Sequence, residues 1–393
     1  MDSPRNESAG VAGFVGDLGD LVTSVVADTH RGIAGRAFGA TAPLSAPTRV
    51  IHDAVSGATY RGVRLGFVAV GGAVALGMRL ASPDREVRHL SASPAGVRFL
   101  ATVNGLAHER VAASAPDLVL RGALFPDPRR DEPLDVAHPQ GLAGQLPGVT
   151  PRLVVFVHGL VETERSWLRK DDDPSGPVGS WFGSALADGG WTPLAVRYNT
   201  GLSVAENGRW LGAQIAELVA RWPGGVAEIG LVGHSMGGLV IRSACHADRS
   251  EPWAALVRSC VYLGSPHRGA PLAVGVERLV RHMASVPEAA GAARVLELRS
   301  RGVRDLELGR IVDETLGDDH ADLPLLAGAT HHVVGAHLGA RADSPASLLV
   351  GDLLVTPSSA GGIDAEVVHL ERSHHFHLLR DRRVEEQLLR WLG

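Results

Sequence analysis

The stretch from Glu228 to His246, EIGLVGHSMGGLVIRSACH, constrains the fold of this chain more than any other. Ile229, Leu231 and Val232 form a short apolar run that suits a buried strand, and the run breaks at Gly233. From Met236 onward apolar residues recur at helical spacing, at Leu239, Val240 and Ala244. A strand that turns sharply into a helix, with G-x-S-x-G at the turn, is a nucleophile elbow. The turn strains the serine, so the residues two positions to either side must lack a Cβ that would strike the flanking strand and helix. Ser235 is then presented at the mouth of a sheet. Its hydroxyl is a poor nucleophile until a base takes the proton, so the motif calls for a histidine and an acid elsewhere in the chain. His234 points to the other side of the strand end and reads as a packed neighbour, not as that base.

In a chain with 48 glycines among 393 residues, G-x-S-x-G can also be a tight turn with an idle serine. The strand before it and the helix after it are the context the motif demands. The frame around it is legible too. RLVVFV (Arg152 to Val157) has the length and continuous apolarity of a central parallel strand and ends in His158-Gly159-Leu160. Thr192 to Gly201 gives a further strand, Gly208 to Trp222 an amphipathic helix, and Ser259 to Pro271 a strand and loop. Strands alternating with helices predict the α/β class, as a mostly parallel, doubly wound sheet of the α/β-hydrolase fold that binds ligands at the carboxyl ends of its strands.

Three segments are expected around that frame. Residues 1–85 form an N-terminal helical extension, 86–150 an accessory segment and proline-rich linker, and 151–393 the catalytic domain. The extension begins with Val11, Phe14, Val15, Leu18, Leu21, Val22 and Val25 on one helical face. It continues with LGFVAVGGAVALGM between Arg64 and Arg79. As a helix these 14 residues span about 21 Å, short of the ~30 Å hydrocarbon core of a bilayer. The run reads as a helix packed against the catalytic domain or a second copy, or as a membrane-surface segment, so partner expectations include weak membrane-surface association and a homo-oligomer. In the accessory segment a helix is expected around Gly96 to Ala113 and a strand within Leu118 to Phe125. Within the catalytic domain, residues 271–324 read as a helical cap insertion, with Leu272, Val276, Leu279, Val280 and Met283 on one face.

Composition adds exclusions. The net charge of −5 with interspersed signs gives no reason to expect nucleic acid as a partner. The two cysteines, Cys245 and Cys260, read as buried small hydrophobes, and their scarcity leans the compartment toward the cytoplasm, with peripheral membrane contact allowed. The start lacks the basic and apolar regions of a cleaved signal peptide.

An elbow of this kind orders its partners serine, acid, histidine along the chain. Asp352 follows a strand near Val333 and Val334, and His374, His375 and His377 follow the last strand, Ala365 to Leu370. The acid would orient the imidazole and stabilise its charge. A metal is the other reading of three clustered histidines, but no carboxylate or cysteine falls at a helical ligand spacing beside them. The oxyanion hole needs two backbone N–H groups, assigned to Leu160 after the RLVVFV strand and to Met236 after the nucleophile.

HGL after an apolar strand, GHSMGG, GSPHRGAP, GDLLVTPSSA and the terminal HHFHLL together resemble the esterase/lipase branch of the α/β-hydrolases, near the bacterial triacylglycerol lipases and the GPI inositol-deacylase-like hydrolases. The resemblance covers about residues 90 to 393 and includes NGLAHERVAA, Asn104 to Ala113. It implies that the acid of the GDLLV segment is Asp352 and that the base opening the H-x-x-L-L segment is His375. Leu353 stands where that group has glycine, and His377 where aspartate is common.

The reading is a carboxylesterase or lipase that cleaves an apolar acyl ester through an acyl-enzyme, with no metal or organic cofactor. An acyltransferase or thioesterase would use the same parts, and a catalytically silent membrane- or partner-binding protein on this scaffold is the alternative from another class.

Overall fold

The computed structural model describes residues 45–80, 90–136, 148–169, 179–269, 299–313, 323–337 and 362–393, with single positions among 10–38 and 142–146. The chain divides into two compact units, residues 1–119 with 275–299, and residues 120–274 with 300–393.

In the first unit, helix α1 runs over Ala46–Leu80 and α2 over Pro94–Ser114. The apolar run after Arg64 is thus the end of a 35-residue helix. Leu65, Val68, Val70 and Leu76 stand exposed on it, and among the described residues no helix is long and apolar enough to cross a membrane. Helix α2 starts at an Ser93 cap whose hydroxyl accepts the Gly96 N–H, and kinks at Ala107. Inside the turns Asn104 donates its amide to the carbonyls of Leu100 and Leu118, so a buried polar side chain is satisfied locally.

The second unit is built on a seven-stranded sheet of order β1-β3-β2-β4-β5-β6-β7. The strands are β1 Ala123–Phe125, β2 Arg152–Val157, β3 Thr192–Arg197, β4 Glu228–His234, β5 Val257–Leu263, β6 Thr330–His337 and β7 Glu366–Glu371. Among the described strands only β1 runs antiparallel, on β3; every other pair is parallel. The continuous apolar runs are explained by burial on both faces. Leu153, Val155 and Val157 of β2 enter one core cluster, while Val154 and Phe156 enter the other. The sheet is the doubly wound frame of the α/β-hydrolase fold.

Helices cover both faces: α3 Phe182–Asp188, α4 Val204–Arg221, α5 Met236–Ala247, α6 Arg301–Leu308 and α7 Arg382–Leu392. Helix α4 begins in a capping box, in which Ser203 accepts from the Glu206 N–H and Glu206 accepts from the Ser203 N–H. Leu211, Ile215 and Leu218 then fall on its buried face, each worth roughly 1.5–3 kcal/mol of burial. Most of the cap expectation, including Leu272 to Met283, lies outside the described residues, but α6 belongs to its far end. Its Asp305 accepts the Val204 N–H at 2.9 Å and so caps α4 from another element. Cys245 and Cys260 are both free and buried.

Candidate active site

Ser235 stands at the junction of β4 and α5 with φ 52° and ψ −121°, the left-handed region that non-glycine residues occupy only where the surroundings hold them there. Its N–H donates to the Leu263 carbonyl at the end of β5, at 2.8 Å. The flanking glycines are required by contact. A Cβ on Gly233 would lie 2.6 Å from the Gly238 nitrogen, and one on Gly237 would strike the Val157 carbonyl oxygen. The turn is therefore wedged between β2 and its own helix, as the spacing predicted.

The oxyanion candidates lie on either side of this turn. Met236 opens α5, where first-turn N–H groups have no partner inside the helix. Leu160 follows β2 in a turn whose Val161 has φ 55° and donates its N–H to Thr200 Oγ1. This turn approaches Ser235 closely: a Cβ on Gly159 would sit 3.0 Å from Ser235 Cβ. His158 braces it from behind. Its ring stacks on Tyr198 at 4.5 Å, and the Tyr198 hydroxyl donates to the His158 carbonyl. Burial depresses the His158 pKa, against the pull of the Gly159 carbonyl and nearby carboxylates.

The three histidines after β7 separate clearly. His375 is buried, with its Nδ1 and Cε1 packed over Gly264, the residue after Leu263. His374 and His377 stack on each other at 5.7 Å, and the His377 Nδ1 faces Ser373 and Asp381. Ser235 and His375 are thus brought to the same end of β5. Asp352 lies outside the described residues. Among the described residues no group of three or more histidine, cysteine or acidic side chains is gathered as a metal would need.

His234 does more than pack. Its Nδ1 meets Glu162 Oε2 at 3.0 Å, and its Nε2 meets the His375 carbonyl oxygen at 3.2 Å. The same Glu162 oxygen accepts the Gly159 N–H at 2.6 Å. Burial opposes ionisation of Glu162, but the His234 charge and the two hydrogen bonds outweigh it and hold the carboxyl below its usual range. Glu162 had no signal in the sequence beyond being an acid three residues past Gly159, because its partner lies 72 positions away.

No curated protein matches the chain. Residues 203–305, from the α4 cap through the elbow to α6, match the family model described as the PGAP1-like alpha/beta domain. Among solved structures, the mature Bacillus licheniformis lipase BlEst2 is similar over 67% of this chain and 96% of its own, at 20% identity and a TM-score of 0.44. A lipase-esterase related protein from Clostridium acetobutylicum is similar over 62% and 96%, at 14% identity and 0.37. For a Pyrococcus furiosus esterase the values are 63% and 84%, with 16% identity and 0.37. Sheet order and elbow make this an α/β-hydrolase fold.

Proposed function

We propose that the protein is a serine hydrolase of carboxylic esters with an apolar acyl group. Ser235 Oγ attacks the acyl carbonyl while His375 takes its proton; Asp352 orients His375, and the N–H groups of Leu160 and Met236 stabilise the oxyanion. His375 then gives the proton to the departing alcohol, leaving the acyl-enzyme. Water, activated by the same histidine, releases the acid and restores Ser235. The observation that carries this reading is the strained Ser235 at the β4–α5 turn, with the buried His375 ring over the neighbouring end of β5.

The test is covalent labelling with a fluorophosphonate, together with hydrolysis of a p-nitrophenyl ester series. Wild type labelled and active, with Ser235→Ala folded, unlabelled and inactive, is the expected result. Turnover by Ser235→Ala near that of the wild type would refute it.

A further inference from the structure

We propose that Glu162 and His234 are positioning residues that tie the turn bearing the Leu160 oxyanion donor to the loop bearing the His375 base. The inference rests on the serine-hydrolase reading and assigns to it two residues outside the triad. The connection is continuous: Gly159 N–H to Glu162 Oε2 at 2.6 Å, Glu162 to His234 Nδ1 at 3.0 Å, and His234 Nε2 to the His375 carbonyl at 3.2 Å. It is also dry, with His234 at 0% exposure and Glu162 at 8%. A ring held at both nitrogens keeps one orientation, and in a low-dielectric site each bond is stronger than it would be in water.

Both nitrogens of His234 face oxygens, one of a carboxyl group already accepting a backbone N–H and one of a carbonyl. With both nitrogens engaged away from Ser235, His234 is not the base. It holds the backbone of the residue that is. The two rings lie 4.8 Å apart, tilted at 49°, and the edge of Trp167 closes the other side at 6.4 Å between centroids. A Cβ on Gly159 would be 3.1 Å from both Glu162 Oε2 and His234 Nδ1 and 3.0 Å from Ser235 Cβ. Carboxylate, imidazole, oxyanion turn and nucleophile therefore crowd one point, and a shift at one is felt by all.

Glu162→Gln keeps the shape and an acceptor but removes the carboxylate from the His234 contact, whereas His234→Gln breaks the link to His375. For positioning, kcat on a short ester and the rate of fluorophosphonate labelling should fall together, about 10- to 100-fold, with KM changing much less. Folded variants with kcat within about twofold of wild type would overturn the proposal. Side-chain nitrogen NMR of the wild type is independent of how the variants fold: hydrogen on the His234 ring should exchange slowly with solvent, as it does in buried bonds, and exchange as fast as that of an exposed histidine would equally overturn it. Failure of the hydrolase reading itself would look different, as a wild type that phosphonates do not label.

Discussion

The Arg197 guanidinium donates to both oxygens of the Glu164 carboxylate, at 2.7 and 2.6 Å, in a site where Glu164 is wholly buried. Arg197 ends β3 opposite Ala123 of β1 and lies 4.4 Å over the Phe125 ring, so this pair secures the antiparallel edge. Arg197→Met should cost about 3–5 kcal/mol, because it strands a buried charge. Adding Glu164→Leu should recover much of the loss. Urea unfolding of both variants checks this, and equal stability of single and double variants would contradict it.

The base should be singled out by ranking three alanine variants on a short ester. His375→Ala should lose activity on the scale of Ser235→Ala, about a thousandfold or more. His374→Ala and His377→Ala, which remove two rings that stack on each other, should keep most of it. Greater loss from His374→Ala than from His375→Ala would move the base by one residue.

Gly237→Ala should cost about 1–3 kcal/mol and most phosphonate labelling, since its methyl meets the Val157 and His158 carbonyls and must push the elbow out of place. Gly72→Ala in α1, where a Cβ meets nothing within 4 Å, should leave Tm unchanged or raise it. Comparison of the two melting curves separates collision at the turn from a general intolerance of added methyls.

Stability should fall on mild acidification, and His267 supplies part of the slope. Burial first, then the charges of Arg242 and His331, push its pKa well below 6.5, and neither ring nitrogen has a hydrogen-bond partner among the described residues. Between 6.5 and that lower value the unfolded chain holds a proton that the folded chain does not. Its contribution is therefore whole above about pH 6.5 and declines as pH drops through it, by up to ~1.4 kcal/mol per pH unit. His158, shifted the same way by burial, adds to the effect. In His267→Phe the fall in Tm between about pH 7.5 and 5.5 should be smaller than in the wild type; an identical fall would remove His267 from the account.

What the sequence made legible follows from what it encodes locally. The apolar runs of β2 and β4 announce strands buried on both faces, and the elbow spacing locates Ser235, because each is written within a few consecutive residues. Tertiary pairings are not written that way. Nothing near Glu162 points to His234, nothing near Arg197 points to Glu164, and the Asp305 cap on Val204 joins residues 101 apart. Helix α1 extends well beyond its apolar run because helix formation needs no apolar residues; its proline, Pro47, falls in the first turn, where a missing N–H costs nothing, and its six glycines weaken the helix without ending it.

The sheet order also ranks its parts by how readily they open. β4 has strands on both sides and three beyond β4 toward β7, so the turn that holds Ser235 hangs from the interior of the ladder. Among the described strands β7 is an edge, with Glu366, Val367, His369 and Glu371 exposed, and the loop bearing His375 hangs from it. Amide hydrogen exchange should be slowest along β4 and β5 and faster along β7. On warming, fraying of that edge would carry His375, the proposed base, away while Ser235 stayed strained in place, so activity would vanish at a temperature where most of the sheet is still protected.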